Sequence, residues 1–410
     1  MPAYDVIIVG ARCAGAPLAM LLARQGRRVI ALDRAMFPSD TISTHFLWPR
    51  STAFLAAWGL LGKLSDTGCP LIESVTMDCG PVAVRGRPDA VDGTAAMFCP
   101  RRTVLDMLLV QAARDAGAEV RERTVVRDLL HDVTGRVVGV RATGPQGGTH
   151  ELRASFVVGA DGAFSRVAAA VGAAATRSHP SLTCGFYAYW SGVPADGVAF
   201  HIRHGRDVLV FPTHDDLTCI WVGRANHQWA DYRADVEAAY LAGLDADLGT
   251  RVRAGRRVTP FKGTSKLPNF YRQAWGDGWA LVGDAAYHRD PLTGMGIGDA
   301  FLGAHLLASA LGQALDDDGP DTLSGYQQQI RLRTEAVFDY TLKSASLQDP
   351  APLVPFYTAI SGRPDATRHL MNVLAGTVPF RSLFNAEMIG RIMSDAATAT
   401  GQPEAPRPTA

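Results

Sequence analysis

The sequence has no excess of either charge sign: 40 Lys and Arg balance 40 Asp and Glu over 410 residues. No basic stripe or acidic tail stands out, so neither nucleic acid nor an anionic membrane is expected as a partner. There is no C-x-x-C pair. The six cysteines, Cys13, Cys69, Cys79, Cys99, Cys184 and Cys219, are scattered, which argues for reduced thiols over a disulfide frame or a zinc site. No apolar run is long enough to span a bilayer; the longest, Ala300 to Leu311, contains His305. No basic n-region or small-residue cleavage site precedes the first apolar stretch, so no signal peptide and a cytoplasmic location are expected. No internal repeat is found.

What is present suits a large core. The chain is 47% hydrophobic and 20% charged, long enough for two intimate domains and an appendage. Tyr4 to Val9 is a β-branched run that reads as a buried parallel strand. Ala14 to Gln25 reads as a helix stopped by Gly26, and Val29 to Leu32 as a second buried strand ending at Asp33. Strand, glycine turn, helix and strand make one βαβ unit. Arg102 to Ala116 predicts another helix, with Leu105, Leu108, Leu109 and Ala112 on one face. Gly135 and the Gly144–Gly148 stretch mark turns of an antiparallel excursion, before Phe156 to Gly159 returns as a buried strand. From Leu182 to Phe261 alternating aromatic-rich segments predict an antiparallel sheet. Trp279 to Val282 is one more buried strand, and a helix runs from about Gly298 to Leu315.

The organisation expected is therefore α/β: a Rossmann-like dinucleotide domain, an inserted antiparallel-sheet substrate domain and a C-terminal helical segment. The first occupies 1–75, 98–180 and 265–335; the second 76–97 and 181–264; the third 336–400. Residues 401–410 read as a disordered tail.

Gly10-Ala11-Arg12-Cys13-Ala14-Gly15 fills the turn of the βαβ unit. Gly10 permits the tight turn and Gly15 lets helix and strand approach. The helix N-terminus offers unpaired amides to a pyrophosphate. Asp33 can accept from a ribose 2′-hydroxyl and would repel a 2′-phosphate. The middle position holds Arg12 where a glycine normally lets the backbone approach the pyrophosphate. Two distant segments, Val158 to Ser165 and Leu281 to Gly298, each place a carboxylate at a strand end beside small residues.

Together these segments resemble the FAD-dependent aromatic hydroxylase superfamily, the single-component flavoprotein monooxygenases related to para-hydroxybenzoate hydroxylase. They are also similar to geranylgeranyl reductases and flavin halogenases. The resemblance runs from Tyr4 to about Leu315, roughly three quarters of the chain. It implies FAD as cofactor and NAD(P)H as a transient co-substrate. Gly10, Arg12 and Gly15 would frame the pyrophosphate, and Asp33 with neighbouring Arg34 would hold the adenosine ribose. Arg102, or Arg101 beside it, would reach the FAD phosphate or ribose. Asp161 and Gly162 match the segment that touches FAD and, in hydroxylases, NAD(P)H. Asp284 would bind the ribityl chain, and Pro291, Gly294, Gly296 and Ile297 would line the flavin ring. The sequence departs from the hydroxylase pattern at Tyr287, where a histidine is common, at Gly298, where an asparagine is common, and at Gly303, where an aspartate is common. The Gly296-Ile297-Gly298-Asp299-Ala300 variant leans toward the reductase and halogenase branches. The halogenase W-x-W-x-I-P segment is absent.

The implied reaction is reduction of FAD, addition of O2 to give a C4a-hydroperoxyflavin, and hydroxylation of an aromatic or polyketide-like small molecule. The alternative is an FAD-dependent reductase of isoprenoid-type double bonds. No second glycine-rich βαβ unit offers a nicotinamide domain. Phe186, Tyr187, Tyr189, Trp190, Phe200, Phe211 and Trp221 are candidate substrate walls, although alternating strand positions cannot all face one cavity. A phenolic substrate wants a base; His45, Tyr287 and His288 are the candidates, a histidine near its ordinary pKa of ~6.5 being suited to proton traffic. His201 and His204 do not share a strand face, so no metal site is expected. The chain is expected to be a monomer or a homodimer.

Overall fold

A computed structural model describes residues 3–317 and 321–399. The expected tail at 401–410 lies outside the described residues.

The first sheet is built on Tyr4–Val9, whose residues Val6, Ile7 and Ile8 are fully buried. It pairs in parallel with Val29–Leu32 on one side and Thr149–Gly159 on the other, in the registers Val9↔Leu32 and Val9↔Gly159. Glu119–Arg121 and Trp279–Leu281 extend the parallel array outward. Both faces are covered, which is why these strands are continuous apolar runs rather than alternating ones. Helices Gly15–Arg24, Arg102–Asp115 and Gly296–Asp317 pack with the sheet. The antiparallel excursion is Val125–His131, Val137–Thr143 and Thr149–Gly159.

The second sheet runs in the order Arg256–Arg257, Thr183–Ser191, Leu217–Ala225, Arg206–Thr213, Val198–Arg203, Val75–Asp78 and Ala83–Gly86. It departs from the expected antiparallel arrangement at one seam, where Val75–Asp78 pairs with Val198–Arg203 in parallel. The chain enters this sheet from the first one and leaves again, so the two strands arrive in the same direction.

Alternation divides the aromatic residues between two faces. Phe186 and Trp190 turn toward the Trp229–Ala234 and Val236–Ala242 helices, where they pack on Tyr232 and Tyr240. The Tyr232 and Tyr240 hydroxyls donate to the Val222 and Ile220 carbonyls, so this layer has few loose polar ends. Tyr187, Tyr189, Phe200, Phe211 and Trp221 face the other way, with Phe46 and Trp48. The C-terminal helices Val354–Ile360 and Pro364–Leu374 close this second face.

Phe211 is fully buried, with ring centroids 6.0 Å from Phe46 and 6.1 Å from Phe200. Phe211→Ala should lower unfolding stability by about 3–5 kcal/mol. Urea denaturation followed by tryptophan fluorescence measures this; an unchanged midpoint would show that this aromatic face is not the packing core described.

Candidate active site

One cavity of about 680 Å³ lies between the carboxyl ends of the first sheet and the second aromatic face. Its first wall is the glycine turn. Gly10 has φ +101°, and a Cβ there would sit 2.4 Å from the Ala160 carbonyl oxygen. A Cβ on Gly15 would sit 1.9 Å from the Gly10 oxygen, so Gly15 is buried beneath the turn and does not line the cavity. The Gly15–Arg24 helix has no side-chain cap and no acidic residue in its first turn. The amides of Arg12, Cys13 and Ala14 make no backbone hydrogen bond among the described residues. Such an N-terminus is an anion site in waiting. Asp33 is pinned by the amides of Ala11 and Ala35, each at 2.8 Å, and its remaining lone pairs stand on the cavity wall beside Arg34.

The missing middle glycine is explained by where Arg12 goes. Its guanidinium donates to Asp106 at 2.6 Å and to the Ser39 backbone and hydroxyl oxygens, and lies over the Phe37 ring. Asp106 is fully buried and also takes both arms of Arg102, at 2.9 and 3.0 Å, and the Cys13 thiol at 3.2 Å. Two guanidiniums share one carboxylate, which leaves this corner of the cavity positive. Burial pushes the Cys13 thiol up, so it remains a donor. Arg101 is not brought to the cavity: it pairs with Asp215 and lies over the Tyr189 ring. Of the two adjacent arginines, only Arg102 begins the helix that faces inward.

The remaining turns converge on the same space. Asp161 accepts from the Ser165 hydroxyl and the Arg166 amide, fixing the turn in which Gly162 has φ +85°. Gly283 brings its own turn so close that a Cβ would lie 2.7 Å from that of Ala14, which sets Asp284 beside the first helix N-terminus. Asp290 is buried and accepts from Thr183 and the Leu292 amide, shaping the Pro291–Thr293 turn. Gly294 follows with φ +63°, and Gly296 and Ile297 open the Gly296–Asp317 helix on the cavity wall. Asp299 in that first turn is matched by Arg289 at 2.6 Å, itself held by Thr293 and Thr341. The sequence reading missed Asp106, Arg289, Asp290 and Asp299. Only the Arg102-x-x-x-Asp106 spacing carried a local signal; Arg289 and Thr341 meet across 52 residues.

The three candidate bases all line the cavity, and burial takes two of them, Tyr287 and His45, away from ready proton exchange. Tyr287 is buried and stacked on Tyr271, and burial raises its hydroxyl well above the ordinary range. His288 bonds the Pro268 carbonyl through Nδ1 and stacks on Phe270. His45 is 1% exposed, and burial with the nearby Arg102 charge lowers its pKa to about 3. The expectation of a histidine titrating near 6.5 fails there because the ring is desolvated. Of the candidate walls, Tyr187 and Trp221 line the cavity; Phe200 and Phe211 are core beneath it.

Asp78, His201 and Asp245, which do not line this cavity, lie close enough together to suggest a cation site. Arg203 already bridges both carboxylates, and Arg206 adds a second cation on Asp245.

The donor set fits FAD. An uncapped helix start, a positive arginine corner, a ribose-side carboxylate and a second glycine-rich helix start follow one another along a single cavity. This defines a dinucleotide-binding flavoprotein. The family described as FAD binding domain matches residues 3–341, and the chain belongs to it. FAD is its cofactor and it is an oxidoreductase. The chain is similar to conditioned medium factor receptor 1 of Dictyostelium discoideum, 27% identical over 77% of this chain, and spans 64% of that protein's length. It is 28% identical to digeranylgeranylglycerophospholipid reductase 1 of Methanopyrus kandleri, over 86% of this chain and 91% of the reductase. It is 27% identical to the 12-dehydrotetracycline 5-monooxygenase/anhydrotetracycline 6-monooxygenase of Streptomyces rimosus, over 97% of this chain and 81% of that one. Among solved structures, a flavin-dependent brominase shares the fold with TM-score 0.81 at 18% identity, over 97% of this chain and 99% of the other. Among the described residues no helix is long and apolar enough to cross a membrane.

Two outcomes follow from the buried carboxylates. Asp106→Asn should weaken FAD binding roughly 10- to 100-fold, because both arginines lose the carboxylate that orients them. Fluorescence titration of the apoprotein with FAD reads this, and wild-type affinity would remove Asp106 from the site. Burial raises the Asp290 pKa from 3.8 to about 6. The folded state therefore holds a proton that the unfolded state releases earlier. Its contribution is full below about pH 4 and is lost as pH rises to about 6, at up to ~1.4 kcal/mol per unit. Asp290→Asn should flatten that slope in urea melts; an unaltered slope would contradict the assignment.

Proposed function

We propose that this chain is an NAD(P)H-dependent FAD monooxygenase that hydroxylates an aromatic or polyketide-like small molecule in the cytoplasm. The observation that carries the reading is that one cavity joins the FAD-binding turns to a wall of Tyr187, Trp221 and His45. Such a compartment suits a planar substrate with polar edges. The tetracycline-class monooxygenase, similar over 97% of this chain, supports it. The six cysteines are all unpaired, which suits a reducing compartment.

In this reading the amides at Cys13 and Ala14, with Arg12 and Arg102, hold the pyrophosphate. Asp33 and Arg34 hold the adenosine ribose, and Asp284 the ribityl chain. The Gly296 and Ile297 amides, at a helix start on the cavity wall, would meet the electron-rich edge of the ring, where such donors favour the reduced state. Asp161 and Gly162 stand where cofactor and hydride donor meet. Bound FAD supplies the electrons that activate O2. The protein's part is to hold the substrate close and keep water out, and Phe46, Trp221 and Leu267 furnish an apolar wall for that. With no second glycine-rich unit, NAD(P)H docks transiently rather than in a domain of its own.

The reductase of isoprenoid-type double bonds is the second reading, favoured by the 28% identity to the Methanopyrus enzyme and by the Gly296–Ala300 variant. The decisive experiment reduces the FAD-loaded protein anaerobically with NADH or NADPH, then mixes it with O2 in a stopped-flow cell alongside phenolic and polyketide substrates. Rapid reoxidation with O2 uptake matched to hydroxylated product is expected. Slow reoxidation with every substrate, together with anaerobic reduction of an isoprenoid olefin, would replace the first reading with the second.

A further inference from the structure

Two of the turns on the cavity rim share one donor. A short three-stranded sheet runs in the order Tyr287–His288, Asn269–Arg272, Ala175–His179. Its middle strand therefore lies between the segment that follows the Asp284 turn and the segment that follows the Asp161 turn and the Arg166–Ala170 helix. Arg272 ends that strand, at a register shift opposite Ala175. From there it reaches both turns. Its guanidinium donates through one terminal nitrogen to the Ala285 carbonyl and through the other to the Ala163 carbonyl, each at 3.1 Å. Its backbone amide donates to the Ala286 carbonyl at 2.9 Å.

The guanidinium is held in place by rings. Its carbon lies 4.0 Å from the centre of Phe270, Phe270 stacks on His288 at 5.9 Å, and His288 is bonded to the Pro268 carbonyl. No carboxylate among the described residues pairs with Arg272, and Asp161 is the anion that faces it at longer range. A planar fork of donors matches two carbonyls on separate chain segments, which a single ammonium does less well. On its other side the Asp161 turn is open. The amides of Asp161, Gly162 and Ala163 make no backbone hydrogen bond among the described residues, and all three residues line the cavity. The turn is anchored by its acceptor and left with its donors free for a ligand. Asp284, one residue before Ala285, stands exposed on the same wall.

We propose that Arg272 is a positioning residue for FAD, whose forked guanidinium sets the gap between the Asp161 and Asp284 turns and with it the fit of the cofactor. Each turn packs against the first glycine turn, through Gly10 with Ala160 and through Gly283 with Ala14. Those contacts set how close the turns come to that first turn, and Arg272 joins them to each other. Arg272 does not itself line the cavity, so it acts through the two turns.

The test follows release of FAD from the loaded protein after dilution, by the rise of free-flavin fluorescence. Arg272→Met keeps the apolar stem on Phe270 and loses both carbonyl bonds, so release should be about tenfold faster. Arg272→Lys keeps the charge and can hold one carbonyl, so release should be about threefold faster, a partial rescue that also serves if the Met variant does not fold. The visible circular dichroism of the bound flavin should change in both, because the cofactor sits differently between the turns. Release within twofold of the wild type in the folded variants overturns the proposal. Faster release with an unchanged visible spectrum and a lower urea midpoint of the apoprotein marks a merely structural arginine and overturns it as well. The proposal requires FAD in the cavity and neither reaction in particular, so failed oxygen transfer in the stopped-flow experiment would leave it standing.

Discussion

The site depends on the approach of three backbone turns that leave no room for a side chain. A Cβ on Gly15 would collide with the Gly10 oxygen at 1.9 Å, one on Gly10 with the Ala160 oxygen at 2.4 Å, and one on Gly283 with Ala14 at 2.7 Å. These contacts stitch the ends of the Tyr4–Val9, Thr149–Gly159 and Trp279–Leu281 strands into one rim. The parallel registers bring the strand ends level, and the glycines let the turns that follow close on each other. The glycine turn and the Asp161 and Asp284 turns on the cavity wall hang from that rim. A larger residue at any of the three would move the Asp161 and Asp284 turns apart, however good the rest of the core remained.

Charge is arranged on the rim so that anions are welcome at one end and balanced at the other. Asp106 orients Arg12 and Arg102 without cancelling them, because one carboxylate meets two guanidiniums. At the second helix start, Asp299 and Arg289 form a one-to-one pair, so that end offers amide dipoles with little net charge. Burying such pairs is not a gain in stability by itself, since desolvation offsets much of the attraction. Their value is orientation. Arg289 also ties the Pro291–Thr293 turn to Thr341, so the turn before the Gly296–Asp317 helix is fixed by a helix far along the chain.

Much of the fold was legible because its parallel strands are buried on both faces and read as continuous apolar runs. The glycine turn was legible for its φ and its contacts. Arg12 was read as a weakening of the motif, since its partner Asp106 lies 94 residues away and nothing local announces it. Alternation foretold that the seven aromatic candidates would divide between faces, but not which face the cavity would take. That choice depends on which helices cover the sheet, and Tyr232 and Tyr240 claimed the Phe186 and Trp190 side. The parallel seam at Val75–Asp78 was invisible because strand direction is a property of the path between sheets, not of four residues.

The protonation of His45 was the least legible feature, and its cause reaches furthest. Nothing in Ser43-Thr44-His45 reports that the ring will be 1% exposed between Tyr187 and Tyr189. The same burial has two chemical effects. It removes the solvation an imidazolium would need, which keeps the ring neutral. It also closes the ring off from solvent together with the Tyr187 and Tyr189 side chains. A charged imidazolium at this position would require opening that wall. The ring therefore stands in the wall as a neutral hydrogen-bonding group, its Nε2 tied to the Tyr189 hydroxyl at 3.0 Å.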